Sequence, residues 1–376
     1  MPAVNNVLVV GGGLAGTATA ILLAQEGVAV DLIEVKPDIA AIGSGITLQG
    51  NALRELRRLG VWERARAEGF PFDCLGLRAP DPAGTLLVEI PDVRSGGPDL
   101  PATMGMPRPA LARMLLDRAT EAGVKTRFGV TATSLAQNAT GVDVTFTGGS
   151  TGRYDLVVGA DGIRSAIRRM VGIELATRPT GMGIWRAFGP RPASVTNTDL
   201  FYGGPSYLAG YTPTGSNSLY AYLVEDVQDR GGLGPDEKLA TMCRLAAAYH
   251  GPWDEIRATL TDPSRVNYTR FETHVLQAPW HRGRVVLIGD AAHSCPPTLA
   301  QGGAQALEDA AVLAELLLAR DVLDEDLWDE LTARRYDRAK TVVDASNQVG
   351  QWLLDHEQGD VPGLVRRIGD LVSQPA

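Results

Sequence analysis

Residues 7–16 read VLVVGGGLAG: a short β-branched run, then Gly11, Gly13 and Gly16 in GxGxxG spacing, then the start of a helical pattern that continues to residue 25. A second apolar run over 28–34 closes on Glu34. Strand, glycine turn, helix and acid-terminated strand thus follow in the order of a βαβ dinucleotide cradle. Glycines allow a tight turn and close backbone approach to a pyrophosphate, which lies against the positive end of the helix, while the strand-end carboxylate accepts from ribose hydroxyls. The expected cofactor contacts are therefore Gly11, Gly13, Leu14, Ala15 and Gly16 at the pyrophosphate, with Glu34, Val35 and Lys36 at the adenosine end. FAD and NAD share this cradle, and the motif alone does not separate them. A glycine-rich turn without a ligand is the competing reading.

Working outward, a helix is expected over 52–59, closed by Gly60, and another over 109–119, ending near Gly123. Segments 142–146 and 154–158 read as a hairpin about the GGSTG turn at 148–152. From 181 to 275 aromatics and glycines become frequent, and TPTGSN at 212–217 separates two strand-like runs. An apolar strand returns at 285–288, and the remainder reads as long helices. The expected fold class is α/β: a Rossmann-type dinucleotide-binding domain with a second β-sheet substrate domain and C-terminal helices. The first domain would be discontinuous, with 1–70, 101–180 and 277–376 binding the cofactor and 71–100 with 181–276 forming the substrate sheet.

With 376 residues and 44% hydrophobic content, the chain can bury a large core, and its formal charge of −9 argues against nucleic acid and anionic membranes as partners. Three scattered cysteines suit a reducing cytoplasm rather than a disulfide framework. The opening run MPAVNNVLVVGGG leads into the cradle, so it is expected as structure rather than as a targeting segment. The apolar stretch 310–319 is far shorter than the roughly 20 residues of a membrane span. The five histidines show no ligand spacing, so no metal is expected. Nothing fixes the oligomeric state, and a homodimer is allowed.

Residues 282–309, RGRVVLIGDAAHSCPPTLAQGGAQALED, give a strand ending in Gly289 and Asp290, a Pro and Gly loop, and a helix. This stretch resembles the second FAD-binding segment of the flavoprotein aromatic hydroxylases, the family of para-hydroxybenzoate and salicylate hydroxylases. YDLVVGADGIRS at 154–165, PRPAL at 107–111 and GSGITLQGNALRELRRL at 43–59 follow the same family's pattern. The resemblance implies FAD, with Asp290 toward the ribityl chain or pyrophosphate, Pro297, Gly302 and Gly303 beside the isoalloxazine ring, and Arg108 and Asp161 as further contacts. Asp161 as a turn former and Arg108 as a solvated helix-start cation are the plainer alternatives. Gly302 and Gly303 precede a helix, so their N–H groups suit the electron-rich edge of a reduced flavin.

The resemblance also implies an activity: NADH or NADPH reduces FAD, oxygen forms a C4a-hydroperoxyflavin, and one oxygen atom passes to a small phenol-like aromatic or heteroaromatic ring. No second GxGxxG stands between strand and helix, so the nicotinamide would be a visiting co-substrate. YLAGYTP at 207–213 is similar to the family's H-x-V-x-Y-P stretch, with Tyr207 where the family has histidine. Tyr211, Tyr207 and Arg186 are the expected catalytic candidates, and Tyr202, Trp185 and Pro297 the expected substrate contacts; packing within a sheet is the competing role for the aromatics. His293 is expected to make a structural hydrogen bond and Cys295 to be inert packing. A flavin-dependent reductase or dehydrogenase of a quinone or isoprenoid shares the scaffold, and a flavin-binding sensor is a remoter alternative.

Overall fold

The computed structural model describes residues 2–38 and 45–376. Gly43 and Ser44, the first residues of the 43–59 family stretch, lie outside the described residues. The opening βαβ unit forms as Asn6–Val10, Leu14–Gln25 and Ala29–Glu34. Asn6–Val10 lies between Ala29–Glu34 and Leu156–Gly159, parallel to both, in a six-stranded sheet. Val7 and Val9 point to one core, shared with the helices Leu14–Gln25 and Gly302–Ala319, while Leu8 and Val10 point to another on the opposite face. A sheet buried on both faces needs continuous apolar strands, which is why this run does not alternate.

The hairpin forms with a correction. Thr151–Tyr154 pairs antiparallel with Gly141–Phe146, but the chain then crosses to the parallel sheet as a separate strand, Leu156–Gly159. Asp155 marks the break: its carboxylate accepts from the backbone N–H of Asn5 at 2.7 Å and of Asn6 at 3.0 Å.

The aromatic-rich half forms an eight-stranded sheet. Its strands run in the order His293–Ser294, Val266–Val275, Arg178–Pro190, Ser218–Asp226, Leu208–Pro213, Thr198–Tyr202, Cys74–Arg78 and Leu86–Pro91. Segment 71–100 thus supplies its last two strands, through parallel pairing of Thr198–Tyr202 with Cys74–Arg78. At the other end, His293–Ser294 is part of the 282–309 segment and ties this sheet to the glycine loop. The helices Pro235–Ala246 and Pro252–Thr259 cover one face with Met242, Ala246, Trp253 and Ile256. The opposite face turns toward a small sheet of Gly45–Gln49, Thr103–Pro107 and Phe70–Phe72: a Cβ on Gly45 would stand 2.5 Å from Tyr220, and one on Gly105 would stand 2.0 Å from the Pro213 carbonyl.

Gly302–Ala319 packs against Leu14–Gln25 and is followed by Glu325–Leu354 and Val361–Ser373. Between the first and third of these four helices lies a buried charge cluster. Arg335, fully buried, donates to Asp309 Oδ1 at 2.7 Å and Glu308 Oε2 at 2.9 Å, and Arg338 grips both oxygens of Glu308. Among the described residues no helix is long and apolar enough to cross a membrane.

Breaking a buried pair leaves an uncompensated charge, so Arg335→Met should cost about 3–5 kcal/mol of unfolding free energy. Urea denaturation of purified wild type and variant measures this, and equal midpoints would remove the cluster from the account of stability.

Candidate active site

The first glycine turn is shaped by backbone constraints. Gly11 has φ of +111°, and a Cβ there would stand 2.3 Å from the Ala160 carbonyl, so no side chain fits. Gly16 packs the helix onto the turn, since its Cβ would stand 2.0 Å from the Gly11 carbonyl. In front of Gly13 the space is open. Gly13 caps the helix without a side-chain bond, and no acidic residue occupies the first turn. Leu14 and Ala15 form the first turn, with Ala15 buried against the second loop: a Cβ on Gly289 would stand 2.9 Å from that of Ala15. Glu34 closes its strand with one oxygen 2.8 Å from Gly12 N and the other 2.9 Å from Lys36 N, while Val35 and Lys36 lie exposed.

The second loop converges on the same place. Gly289 N donates to buried Asp309 at 2.8 Å, and His293 Nε2 lies 2.6 Å from the same oxygen, Oδ2. His293 is thus structural. Asp290 is solvent-exposed yet enclosed enough by protein that burial raises its carboxyl above the ordinary value, against the pull of His293 and Arg108. Arg108, exposed at the start of the helix Arg108–Glu121, is one of the charges that act on this carboxylate. Pro297 is exposed at the turn before Gly302–Ala319, whose first residues, Gly302 and Gly303, are half-buried and uncapped by any side chain. A Cβ on Gly303 would stand 3.1 Å from Leu14, so the two helix starts face a common space. Cys295 lies beneath Gly302, its thiol pushed up to about 12 by burial, which keeps it protonated and inert.

Asp161 takes its plainer role. Its carboxylate accepts from Ser165 Oγ and from the N–H groups of Ala166 and Ile167, capping the short helix Ala166–Met170. Only its backbone borders the first glycine turn, where a Cβ on Gly11 would stand 2.9 Å from the Asp161 Cα.

The eight-stranded sheet divides the remaining candidates by face. Tyr211 is fully buried under the covering helices, against Phe201 and Trp253, and its hydroxyl donates to Asp199 at 2.6 Å. Burial, then Asp199, raises its pKa, so it is a core residue and not a substrate contact. Trp185 shares that core and donates to Glu225 at 2.9 Å, which corrects its expected role as well. Tyr207 does not share a pocket with Tyr211: its hydroxyl donates to Asp226 at 2.6 Å and its ring lies against His356. Arg186, one residue from Trp185, points to the other face. It donates to the Tyr220 hydroxyl at 3.0 Å and to Thr269, and among the described residues no carboxylate pairs with it. Tyr222 lies directly across the strand pair from Arg186, and Tyr202 shares this inner face, being exposed but held above its ordinary pKa by burial.

Sequence reasoning missed Tyr220, Tyr222, Asp309 and Arg168. Buried Arg168 joins the loops, donating to the carbonyls of Ala291 at 2.7 Å and Ile163 at 2.9 Å. The alternation SLYAYLVED at 218–226 carried a usable signal, because Tyr220 and Tyr222 share a face by the two-residue period of a strand. Nothing in the sequence paired Arg168 with Ala291, or Arg335 with Glu308 and Asp309, across more than twenty residues.

Two uncapped helix starts that face a common space, an acid at the end of the second strand, and the exposed charges of Asp290 and Arg108 fit the diphosphate, ribose and ring of FAD. The FAD binding domain model matches residues 5–346. The chain is 35% identical over 82% of its length to the 2-heptyl-3-hydroxy-4(1H)-quinolone synthase of Pseudomonas aeruginosa, strain PAO1, covering 80% of that protein. It is 29% identical to the FAD-dependent monooxygenase YetM of Bacillus subtilis, described as putative, over 97% of both chains. In fold it superposes on Klebsiella pneumoniae HpxO complexed with FAD and uric acid, with a TM-score of 0.83 at 24% identity, covering 98% of this chain and 97% of that one. These matches and the paired glycine loops place the chain in the family of FAD-dependent aromatic hydroxylases, as an FAD-using oxidoreductase.

Proposed function

We propose that the chain is an NAD(P)H-consuming monooxygenase that hydroxylates a small aromatic or heteroaromatic ring in the recess between the glycine loops and the inner face of the eight-stranded sheet. The observation that carries this reading is Arg186, a half-buried cation on that face whose partners are two hydroxyls and the Phe271 ring, with no carboxylate among the described residues. A quinolone synthase similar over most of the chain supports a nitrogen heteroaromatic substrate.

The roles divide by location. Gly11, Gly13, Leu14, Ala15 and Gly16 would hold the diphosphate of FAD by backbone N–H groups, and Glu34 would exchange its own backbone bonds for ribose hydroxyls, flanked by Val35 and Lys36. Gly289, Asp290 and Arg108 would border the ribityl chain, with Asp161 contributing backbone. Gly302 and Gly303 would direct N–H groups at the ring beside Pro297. When bound, FAD supplies electron transfer from a nicotinamide and the activation of molecular oxygen. The chain's own contribution is to orient the substrate and exclude water: the Arg186 guanidinium favours the deprotonated form of a ring hydroxyl, making the ring more nucleophilic, and Tyr220, Tyr222 and Tyr202 wall the space. The same reading assigns 1–70, 101–180 and 277–376 to the cofactor, and 71–100 with 181–276 to the substrate. A cytoplasmic setting suits the nicotinamide supply.

Gly13→Val fills the open space before the first helix and should lower bound FAD severalfold, read from the visible flavin absorbance per protein; unchanged content would remove that contact. In a screen of phenols and hydroxylated N-heterocycles, an accepted ring should accelerate NADH or NADPH oxidation and gain one oxygen from labelled O2. Arg186→Gln should cost about tenfold to a hundredfold in kcat/KM for that ring, the loss of one or two charge-assisted bonds. Electron transfer to a quinone without oxygen insertion would contradict the reading.

A further inference from the structure

Strand register on the inner face fixes one unbroken cross-strand row. Arg186 lies opposite Tyr222, Tyr222 opposite Gly210, Gly210 opposite Leu200, Leu200 beside Leu77, and Leu77 opposite Val88. Residues in register point to the same side of a sheet, so these side chains form a continuous surface. From Tyr222 to Val88 the row crosses four inter-strand steps, about 19 Å at roughly 4.8 Å each. Beyond Arg186 it holds no charge. Gly210 lets its neighbours close over the backbone: a Cβ there would stand 2.7 Å from the Tyr222 ring and 2.8 Å from Leu200 Cδ2.

The adjoining row runs through Tyr220, Thr212, Thr198, Leu75 and Ile90, and its two threonine hydroxyls bond each other at 2.8 Å. Neither row therefore presents a free polar group beyond the tyrosines. At the outer end the apolar side chains emerge into solvent, Val88 being 45% and Ile90 38% exposed. Val93 follows them, also exposed, beside Gly369 of the last helix, and Val365 one turn earlier on that helix is exposed too. Scattered exposed apolar residues need no explanation, but a contiguous strip leading out of a reaction recess does.

We propose that this strip is a gutter for a linear alkyl substituent on the ring substrate. The proposal rests on the hydroxylase reading above. The ring occupies the Arg186, Tyr220 and Tyr222 end, and the chain lies across Leu200 and Leu77 toward Val88 and Ile90. An alkyl chain fits where a second polar or charged group does not, because the strip offers it apolar contact along its length and no partner for a hydrogen bond. Its open outer end accommodates chains of different length.

The test uses the FAD-loaded enzyme and the ring that proves most active in the screen above, carrying a methyl, butyl or octyl group at one carbon remote from the site of hydroxylation. Complete burial of a methylene would strengthen binding about fourfold. The structure therefore predicts a KM that falls by about tenfold or more from methyl to octyl, and a Val88→Lys variant in which this dependence on chain length collapses. A KM independent of chain length in an enzyme that does hydroxylate the ring overturns the gutter and leaves the function standing; failure to oxidise any ring overturns the function first. Light scattering on both proteins covers the remaining occupant. If wild type is a dimer that Val88→Lys dissociates while chain-length dependence is unchanged, the strip is an interface between copies and the gutter is wrong.

Discussion

The carboxylate of Asp309 holds the second loop in one geometry. It is fully buried, and its two oxygens take a backbone N–H from Gly289, the ring of His293 and the guanidinium of Arg335. Burial alone would raise this carboxyl, yet His293 and Arg335 hold it down at about 2, so it remains an anion inside the protein. An ion in such a place is costly unless every partner is in position. The strand end before it, the loop carrying Asp290 and the long helix bearing Arg335 are consequently fixed relative to one another. Asn51 and Gln301 extend the network to the start of the helix Gly302–Ala319, through Glu308.

This rigidity matters because the two glycine loops present fixed backbone charge. Both helices that follow them begin with glycine or an uncapped residue and carry no acid in the first turn. Their positive ends are left for a ligand to complement. The diphosphate of a dinucleotide is an anion of the kind such ends attract. One face of the eight-stranded sheet is sealed by two helices, so a single strand sends alternate residues into that core and to the opposite face.

That alternation explains what could be read without coordinates. The cradle was legible because its spacing, β-branched strand and terminal Glu34 each have a local cause. The strand, loop and helix of 282–309 were legible from their apolar run and their Pro and Gly residues, and the structure puts Gly302 and Gly303 at the start of that helix. The substrate side was not legible residue by residue. Leu208–Pro213 is buried along nearly its whole length, so hydrophobicity could not tell which side of the sheet faced the recess, and Tyr211 was assigned to the wrong one. Asp161 carried a motif position whose side chain caps a helix. Asp155 split an apparently single strand through bonds to residues about 150 positions away. Pairings over such distances leave no periodic trace in a sequence.

The most direct measurement is a titration of cofactor-stripped wild-type protein with FAD, followed by quenching of flavin fluorescence. Saturation at one FAD per chain, with a further spectral change when an accepted ring is added, is the result the structure predicts. A protein that takes up no FAD under conditions where it remains folded would contradict the assignment of both glycine loops and of the recess between them.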